Sequence, residues 1–272
     1  HSGAHYKEAI RLIHEGYIGA ISKVICWNTT NSGGRRRAEQ PTDPPPELDW
    51  EMWLGPAPKV PYVEDRCHGS FRYYWDYSGG RATDFGVHHM DIVHWALDRY
   101  APRSVVCEGG KFVHPDDGRD VPDTQDILYK YDDCLVQHTL RQGNAHPGHG
   151  HFDIQFLGRE GTILVNRGRY EIYPEEGKKN GVERKTHKNP APQRDMTRLH
   201  VAEFLEKIKT RERCVCDVEV CHRATTAPIL GNIAYRTGER LGWDSENEEI
   251  TNHPELNSWL HRVYREPWRL EI

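Results

Sequence analysis

Membrane-spanning apolar runs and a signal-peptide pattern are both missing from the 272-residue sequence, so neither membrane insertion nor secretion is expected. Basic residues are not in excess, because 36 Lys and Arg stand against 41 Asp and Glu. This balance gives no electrostatic reason to expect nucleic acid or an anionic membrane as a partner. The seven cysteines cannot all pair within one chain, which favours reduced thiols. The composition predicts a globular cytoplasmic protein, provided that no targeting segment precedes it.

Several familiar enzyme motifs are also missing. The sequence contains no G-x-G-x-x-G, no Walker A sequence, no G-x-S-x-G and no H-E-x-x-H. These motifs mark dinucleotide sites, phosphate-binding loops, nucleophile elbows and zinc peptidase helices, respectively. Any chemistry of this chain must therefore come from other residue combinations.

The order of helical and strand-like segments indicates the fold class. Apolar residues recur at helical spacing over residues 6–16, 84–98 and 198–211, and a further helix is predicted over 222–241. Between residues 103 and 175, short alternating segments punctuated by Gly or Asp are typical of consecutive strands. In the third helix we expect these apolar residues to face inward: Val201, Ala202, Leu205 and Ile208. The pattern predicts an α+β protein in which a largely antiparallel sheet packs against helices.

One face of the predicted helix that starts at Asp84 is polar. At about 100° per residue, Asp84, His88 and Asp91 fall in one narrow stripe, whereas His89 points to the apolar side and His94 lies at its margin. A carboxylate one turn from an imidazole can orient the ring and stabilise its protonated form. Asp84 and His88 are therefore the candidate catalytic acid/base pair. The alternative is a polar stripe that only faces solvent.

The stretch RCHGSFRYYWDYSGG, residues 66–80, combines planar donors with aromatic rings immediately before that helix. Aromatic faces together with Arg and His donors suit a polyhydroxylated ring. The candidate substrate-binding residues here are His68, Arg72, Tyr73 and Trp75. The alternative is aromatic packing under a loop, which we favour for Phe71 and Tyr74.

Histidine is also concentrated in GNAHPGHGHFDIQF, residues 143–156. His149 and His151 lie one residue apart, as on one face of a strand, so they could bind one metal together. No carboxylate or cysteine at a suitable spacing completes the set, and only His88 and Asp84 are candidates to join them in three dimensions. We therefore predict no bound metal and interpret His149 and His151 as part of a substrate-facing loop.

Three of the cysteines lie in CVCDVEVC, residues 214–221. Their spacing differs from that of a zinc knuckle. Cys214 and Cys216 alternate as they would along a strand, so they are expected to share a face. We interpret Cys214, Cys216 and Cys221 as reduced, partly buried thiols.

The stretches LDWEMWLGPAP and FRYYWDYSGGRATDFGVHHMDIVHWAL resemble the glucose–fructose oxidoreductase/inositol dehydrogenase (Gfo/Idh/MocA) family, and within it a branch of predicted sugar dehydrogenases. FLGREGTILVNRGRYEIYPE, CDVEVCHRATTAPILGNIAYRTGERLGWD and YREPW are similar to the same branch. Each motif is weak alone, but their order is specific and covers essentially the whole chain.

The resemblance implies that residues 1–272 form a single substrate-binding and oligomerisation domain. Family members have an N-terminal Rossmann domain, which this chain lacks. A second domain comes after it, and the open, mostly antiparallel sheet of that domain is covered by helices on one face. The family's D-x-x-x-H pair maps onto Asp84 and His88, whereas its catalytic Glu-Lys-Pro motif does not occur here. NAD or NADP, a sugar substrate and a homo-oligomer formed through the open sheet face are implied.

Three hypotheses about function remain open at this point. The chain is the substrate-binding catalytic domain of a sugar or polyol oxidoreductase that transfers hydride to NAD(P), with His88 and Asp84 as its acid/base pair. Alternatively, it is a stand-alone, NAD-free carbohydrate-active enzyme that performs lyase, isomerase or glycoside hydrolase chemistry. That chemistry is either acid/base or assisted by a divalent metal, and it uses His88, Asp84, His149 and His151. The third hypothesis is a non-catalytic carbohydrate-binding or assembly module.

Overall fold

A large mixed sheet and a layer of helices make up the chain in a computed structural model. The residues that the structure describes are 1–31, 40–145, 152–175, 178–179, 182–183, 187–190 and 196–270. The helices are α1 (Ala4–His14), α2 (Trp50–Leu54), α3 (Gly80–Asp84), α4 (Gly86–Leu97), α5 (Met196–Thr210) and α6 (Val218–Thr237). Short 3-10 turns cover Glu64–Arg66, Ser70–Tyr73 and Pro254–Leu260.

The strands run in chain order from β1 (Ile21–Thr30) to β12 (Glu249–Ile250). Between them lie β2 (Ser104–Gly110), β3 (Thr124–Lys130), β4 (Leu135–Gln142), β5 (Phe152–Gly158), β6 (Gly161–Asn166), β7 (Arg169–Pro174), β8 (Lys178–Lys179), β9 (Val182–Glu183), β10 (His187–Pro190) and β11 (Leu241–Asp244). Ten of these strands form one sheet in the order β10-β7-β6-β5-β1-β4-β3-β2-β11-β12. The β1–β4 pair is parallel and its neighbours are antiparallel, so the predicted sheet type is confirmed.

One face of the sheet carries the core. Val24, Ile127 and Val136 are fully buried there, together with Ile10 of α1 and Leu230 of α6. Side chains alternate between the two faces of a strand, so their neighbours in sequence point the other way. Burial of these apolar side chains is the main free-energy gain of the fold.

The opposite face of the sheet is open in the described part of the chain. Register places Ile25 opposite Gln137, Gln137 opposite Leu128, and Leu128 opposite Val106, so these four side chains form one row across β1, β4, β3 and β2. All four are only half-buried. The strands therefore show the buried-and-exposed alternation that a sheet with helices on one face requires.

The predicted helix over 84–98 is two helices in the structure. Asp84 ends α3, and Phe85 lies between α3 and α4. The backbone N–H groups of His88 and His89 both donate to the carbonyl of Phe85, so the chain nearly continues its helical path. Asp84 and His88 consequently remain about one turn apart.

Two further sequence predictions were wrong. The four residues of α5 that were expected to face inward are all exposed: Val201, Ala202, Leu205 and Ile208. Helical periodicity identifies an apolar face but does not say what covers it.

The segment 214–216 is not a strand either. The carboxylate of Asp217 accepts a hydrogen bond from the backbone N–H of Val220 over 3.0 Å and caps α6. This cap starts a helix at Val218, and the favourable capping outweighs the β-propensity of Cys and Val. In the described part of the chain, no helix has both the length and the apolar character needed to cross a membrane.

Candidate functional site

Asp84 lies at the junction of α3 and α4, where two guanidinium groups hold its carboxylate. The Nε–H of Arg72 donates to Oδ1 over 3.0 Å, and Nη1 of Arg81 donates to Oδ2 over 3.4 Å. The partners of Asp84 that the structure records are therefore arginines rather than His88. Any effect of this carboxylate on His88 is electrostatic.

His88, in the first turn of α4, is exposed to solvent. The atoms that crowd its ring nevertheless lower the pKa of His88 below its ordinary value, and the positive charge of Arg167 lowers it further. Asp84 and Asp91 act in the opposite direction. Because its pKa is lowered, the imidazole is neutral near pH 7 and can accept a proton.

An aromatic platform lies beside His88. The ring of Phe85 stacks on Phe152, with centroids 4.3 Å apart and planes 11° from parallel, and it meets His88 edge to face at 5.8 Å. The guanidinium groups of Arg81 and Arg167 lie 5.4 and 5.7 Å from the Phe85 centroid. Planar donors, an apolar ring and a proton acceptor thus meet on one surface.

The β6–β7 hairpin brings Arg167 to this surface. Asn166 closes the turn, because its side-chain oxygen accepts from the backbone N–H groups of Gly168 and Arg169 at 2.7 and 3.0 Å. A ring nitrogen of His5 in α1 donates to the carbonyl of Asn166 over 2.8 Å. The turn is therefore fixed to α1 rather than left free beside the sheet.

Tyr6 of α1 belongs to the same electrostatic neighbourhood. Burial raises the pKa of Tyr6 to about 12, Arg167 lowers it, and Asp153 and Asp91 raise it further. The phenol is thus a neutral hydrogen-bonding group near pH 7. The sequence predictions did not include Tyr6, Arg81, Phe85, Phe152 or Arg167. Tyr6, Phe152 and Arg167 come from α1, β5 and the β6–β7 turn, which are far from Asp84 along the chain. Arg81 and Phe85 flank Asp84, and i,i+3 spacing alone could have placed Arg81 beside it.

His89 and His94 face the interior. His89 is 4% exposed, and its Nδ1 lies 3.2 Å from Nε2 of His138 in β4. His94 lies 2.8 Å from the hydroxyl of Tyr131. Burial lowers the pKa of His89 well below its ordinary value and that of His94 to about 4. The prediction that His89 belongs to the core is confirmed.

The structure brings only part of the predicted substrate-binding set to Asp84 and His88. Arg72 contacts Asp84 directly, as described. Tyr73 lies one residue further on, with its ring 5.9 Å from the guanidinium of Arg81 and 4.6 Å from that of Arg119. His68 is exposed on the preceding loop.

Trp75 points elsewhere. Its indole N–H donates to the carbonyl of Asp120 over 3.0 Å, and its ring lies 5.0 Å from the guanidinium of Arg236. Trp75 and Trp259 line a cavity of about 600 Å³ between the loop before α3, α6 and the C-terminal 3-10 turn. The predicted packing role of Tyr74 is confirmed, because that residue is buried and its hydroxyl donates to Asp65 over 3.0 Å.

His149 and His151 fall outside the described residues, so their predicted role in substrate binding stays a prediction. The predicted alternative metal set of His149, His151, His88 and Asp84 stays one for the same reason. Phe152, which begins β5, does lie at the site.

A dinucleotide does not fit the residues present. Such a site needs a Gly-rich turn that joins a parallel strand to a helix. In the part of the chain that the structure describes, β1 and β4 are the parallel pair of the large sheet, and β2 and β3 intervene in sequence. The sequence has no G-x-G-x-x-G. The described residues therefore offer no dinucleotide site of this kind.

Comparison with protein families gives one match over most of the chain. The model named GFO_IDH_MocA_C2, described as "Oxidoreductase family, C-terminal alpha/beta domain", matches residues 10–270. No curated protein matches the sequence.

Solved structures match in fold. A putative oxidoreductase from Thermotoga maritima is 16% identical with a TM-score of 0.59, covering 88% of this chain and 61% of that one. Aldose–aldose oxidoreductase from Caulobacter crescentus, complexed with glycerol, is 14% identical with a TM-score of 0.60, and the match covers 88% of this chain and 61% of that one. The WlbA dehydrogenase from Bordetella pertussis, in complex with NADH and UDP-GlcNAcA, is 15% identical with a TM-score of 0.55, and the match covers 89% of this chain and 61% of that one. The chain thus spans about 61% of the length of these structures.

Proposed function

The chain belongs to the Gfo/Idh/MocA oxidoreductase family, as its C-terminal α/β domain, and on that premise we propose that it is the substrate-binding catalytic part of a sugar or polyol dehydrogenase. In this proposal Asp84 and His88 serve the CH–OH group that is oxidised. The whole chain, residues 1–272, is one substrate-binding and oligomerisation domain.

The observation that carries the proposal is the state of His88. Its imidazole is exposed, and its pKa is lowered by surrounding atoms and by Arg167. Oxidation of an alcohol to a carbonyl releases the hydroxyl proton, and a neutral imidazole is a suitable acceptor for it. Asp84 raises the pKa of His88, so it also stabilises the imidazolium that forms.

The surface around His88 suits a sugar. The guanidinium groups of Arg72, Arg81 and Arg167 offer planar N–H donors to hydroxyl oxygens, and the ring of Phe85 offers an apolar face to the C–H side of a pyranose. Two of the matched structures carry polyhydroxylated ligands in their descriptions, namely glycerol and UDP-GlcNAcA. We extend that ligand class to this chain.

NAD or NADP, when bound, supplies the hydride acceptor. Since residues of this chain do not fit a dinucleotide, we propose that a Rossmann domain outside the chain holds the cofactor against the His88 surface. The work of this chain is then to bind the sugar, to orient one CH–OH group and to accept its proton at His88.

A kinetic experiment tests the acid/base role. The protein is expressed from its complete reading frame, and sugar-dependent reduction of NAD+ and NADP+ is measured with aldoses, polyols and glycosides. We expect His88→Gln to lower kcat by roughly 100- to 10,000-fold, as for loss of a general base, with a smaller change in KM. The control is His222→Gln, because His222 pairs with Glu248 on the exposed side of α6. A kcat unchanged in His88→Gln contradicts the proposal.

A binding experiment tests the sugar surface on this chain alone. Saturation-transfer NMR is recorded with the same sugars on the wild-type chain and on Arg72→Gln and Arg81→Gln. We expect both substitutions to weaken the signal of the sugar that is turned over fastest, and Arg240→Gln, at the far edge of the sheet, to leave it unchanged. Equal signals in all variants would remove the sugar-binding role of this surface.

A further inference from the structure

Three metal-binding side chains meet where the chain before α1, the middle of α4 and the segment before α6 converge, and a fourth, Cys221, lies beside one of them. Nε2 of His1 lies 2.9 Å from Oδ1 of Asp91, and Sγ of Cys216 lies 3.9 Å from the same oxygen. The ligand atoms of these three residues all lie within 4.8 Å of one another. Sγ of Cys221 lies 3.5 Å from Sγ of Cys216. We propose that His1, Asp91 and Cys216 bind one divalent cation of the zinc type, and that the exposed side chain of Cys221, next to Cys216, rotates inward to supply the fourth ligand.

The three separations that the structure gives are compatible with a tetrahedral centre. Bonds of about 2.0–2.3 Å to N, O and S ligands place neighbouring ligand atoms roughly 3.3–3.8 Å apart. The Cys216–Cys221 and Cys216–Asp91 separations of 3.5 and 3.9 Å are close to this range, and the His1–Asp91 separation of 2.9 Å needs only a small opening. The two sulfurs are also much farther apart than the roughly 2.05 Å of a disulfide.

The donor set selects the class of cation. Two thiolates, one imidazole and one carboxylate suit zinc, whereas magnesium and calcium prefer oxygen ligands alone. The chain offers one negative charge from Asp91 and, once deprotonated, one from each thiol. The described contacts of Asp91 are with His1 and Cys216. A divalent cation bound between these side chains would compensate their negative charge.

His1, Asp91 and Cys216 are held in place before any cation arrives. The ring of His1 stacks on Trp95, one turn beyond Asp91, with centroids 4.2 Å apart and planes 21° from parallel. The side chains of His1 and Asp91 are only 10% and 20% exposed. Asp217 caps α6 and so fixes Cys216 just before the helix and Cys221 one turn into it. Pre-positioned ligands lose little conformational entropy on binding.

The proposal has a structural consequence that is independent of the proposed catalysis. A cation at this point would connect the chain before α1, α4 and α6, and so would fix the helix that carries His88. The sequence alone favoured unligated thiols because His1 and Asp91 are far from 214–221 along the chain.

Metal analysis and cobalt spectroscopy test the site. The reduced chain is purified without a polyhistidine tag, its metal content is measured by mass spectrometry, and the metal-free protein is titrated with Co²⁺. We expect one cation per chain and a thiolate-to-cobalt absorption in the near ultraviolet. Cys216→Ser and Cys221→Ser should each weaken that absorption, whereas Cys214→Ser, two residues before Cys216 but outside the set, should retain it.

A second set of variants tests the carboxylate of Asp91 and the imidazole of His1. We expect Asp91→Asn and His1→Gln to weaken Co²⁺ affinity by more than the roughly 10- to 100-fold that loss of an outer hydrogen-bond partner costs. Circular dichroism identifies any variant that fails to fold. For such a variant, displacement of Co²⁺ by Zn²⁺ in the wild-type protein is measured instead. Absence of cobalt absorption in the folded, reduced wild type overturns the proposal, and so does equal absorption in Cys214→Ser and Cys216→Ser.

Discussion

The Nε–H of Arg72 donates to Oδ1 of Asp84 over 3.0 Å, which fixes the loop before α3 to the residue that ends α3. Arg81 occupies the second carboxylate oxygen. Both oxygens are engaged by guanidinium groups, and the carboxylate acts on His88 through its charge, which raises the pKa of the imidazole. The two members of the pair therefore interact electrostatically and not through a hydrogen bond.

We predict that Asp84→Asn lowers the pKa of His88 further. The carboxylate raises that pKa, so its removal leaves Asp91 alone to oppose the crowding of the ring and the charge of Arg167. NMR titration of the His88 ring protons measures the change. Asp98→Asn at the end of α4 is the matched control, because Asp98 does not contribute to the His88 shift. An unchanged or higher His88 pKa in Asp84→Asn would show that the two residues are not coupled.

The opposite shift is predicted for Arg167→Gln. Arg167 lowers the pKa of His88, so its neutralisation should raise that pKa and move the acidic limb of the pH–rate profile to higher pH. Arg159→Gln, in the neighbouring β5–β6 turn, changes the net charge equally and should move neither quantity. If both arginine variants shift His88 by the same amount, the effect is one of overall charge, and the assignment of Arg167 to the site is wrong.

Sequence reasoning reached part of this site for a physical reason. Asp84 and His88 are close along the chain, and helical periodicity is enough to place them on one side. Arg167, which acts on His88, and Tyr6, which Arg167 also affects, lie on the β6–β7 turn and on α1, and a hydrogen bond from His5 to Asn166 joins that turn to α1. Spacing along one segment does not contain that information.

Acid should destabilise the fold through its buried histidines. Burial lowers the pKa of His94 and His138 to about 4 and that of His89 well below 6.5. The unfolded chain, with histidine pKa values near 6.5, therefore binds more protons between about pH 6.5 and 4. Stability is full above that window and falls as the pH drops through it, by about 1.4 kcal/mol per pH unit for each histidine.

Urea unfolding at several pH values between 7 and 4 measures this slope. His94→Gln keeps a hydrogen-bonding group near Tyr131 but removes one titrating ring, so its slope should be smaller than that of the wild type. His261→Gln removes an exposed histidine and should leave the slope unchanged. A slope equal in all three proteins would mean that the buried rings titrate alike in the folded and unfolded chains.

Gly86 should not tolerate a side chain. A Cβ there would lie 2.9 Å from Cε1 of His138 and 3.2 Å from Cβ of Pro228. Because both neighbours are packed in the core, Gly86→Ala should reduce the free energy of unfolding by about 1–3 kcal/mol. Gly69→Ala is the control, since a Cβ at Gly69 meets nothing within 4 Å. Similar urea midpoints for the two variants would mean that α4 can move away from β4.

Strands β2–β7 were predictable because they are short alternating segments punctuated by Gly or Asp. Strands β8–β12 were not predicted, since each has only two to four residues and too few positions to show a period. The break between α3 and α4 was not, because it depends on Phe85 and on the close approach of Gly86 to β4. The exposure of α5 was not predictable either. Its apolar face has the same pattern that a buried helix would have, and the pattern cannot distinguish a core from a surface that another molecule covers.

The proposed oligomerisation role has two candidate surfaces: the row of Ile25, Gln137, Leu128 and Val106 on the open sheet face, and the exposed apolar face of α5. We predict that the open sheet face is the interface, because its flat row can pack against the same row of a second copy. A charge introduced into that row would be buried in the dimer, which is unfavourable. Leu128→Glu should raise the dimer dissociation constant by roughly 100-fold, as loss of a central interface residue does. Leu205→Glu, a residue of α5 that is 53% exposed, should leave the constant unchanged. Sedimentation velocity over a dilution series measures both, and dissociation caused by Leu205→Glu alone would assign the interface to α5 instead.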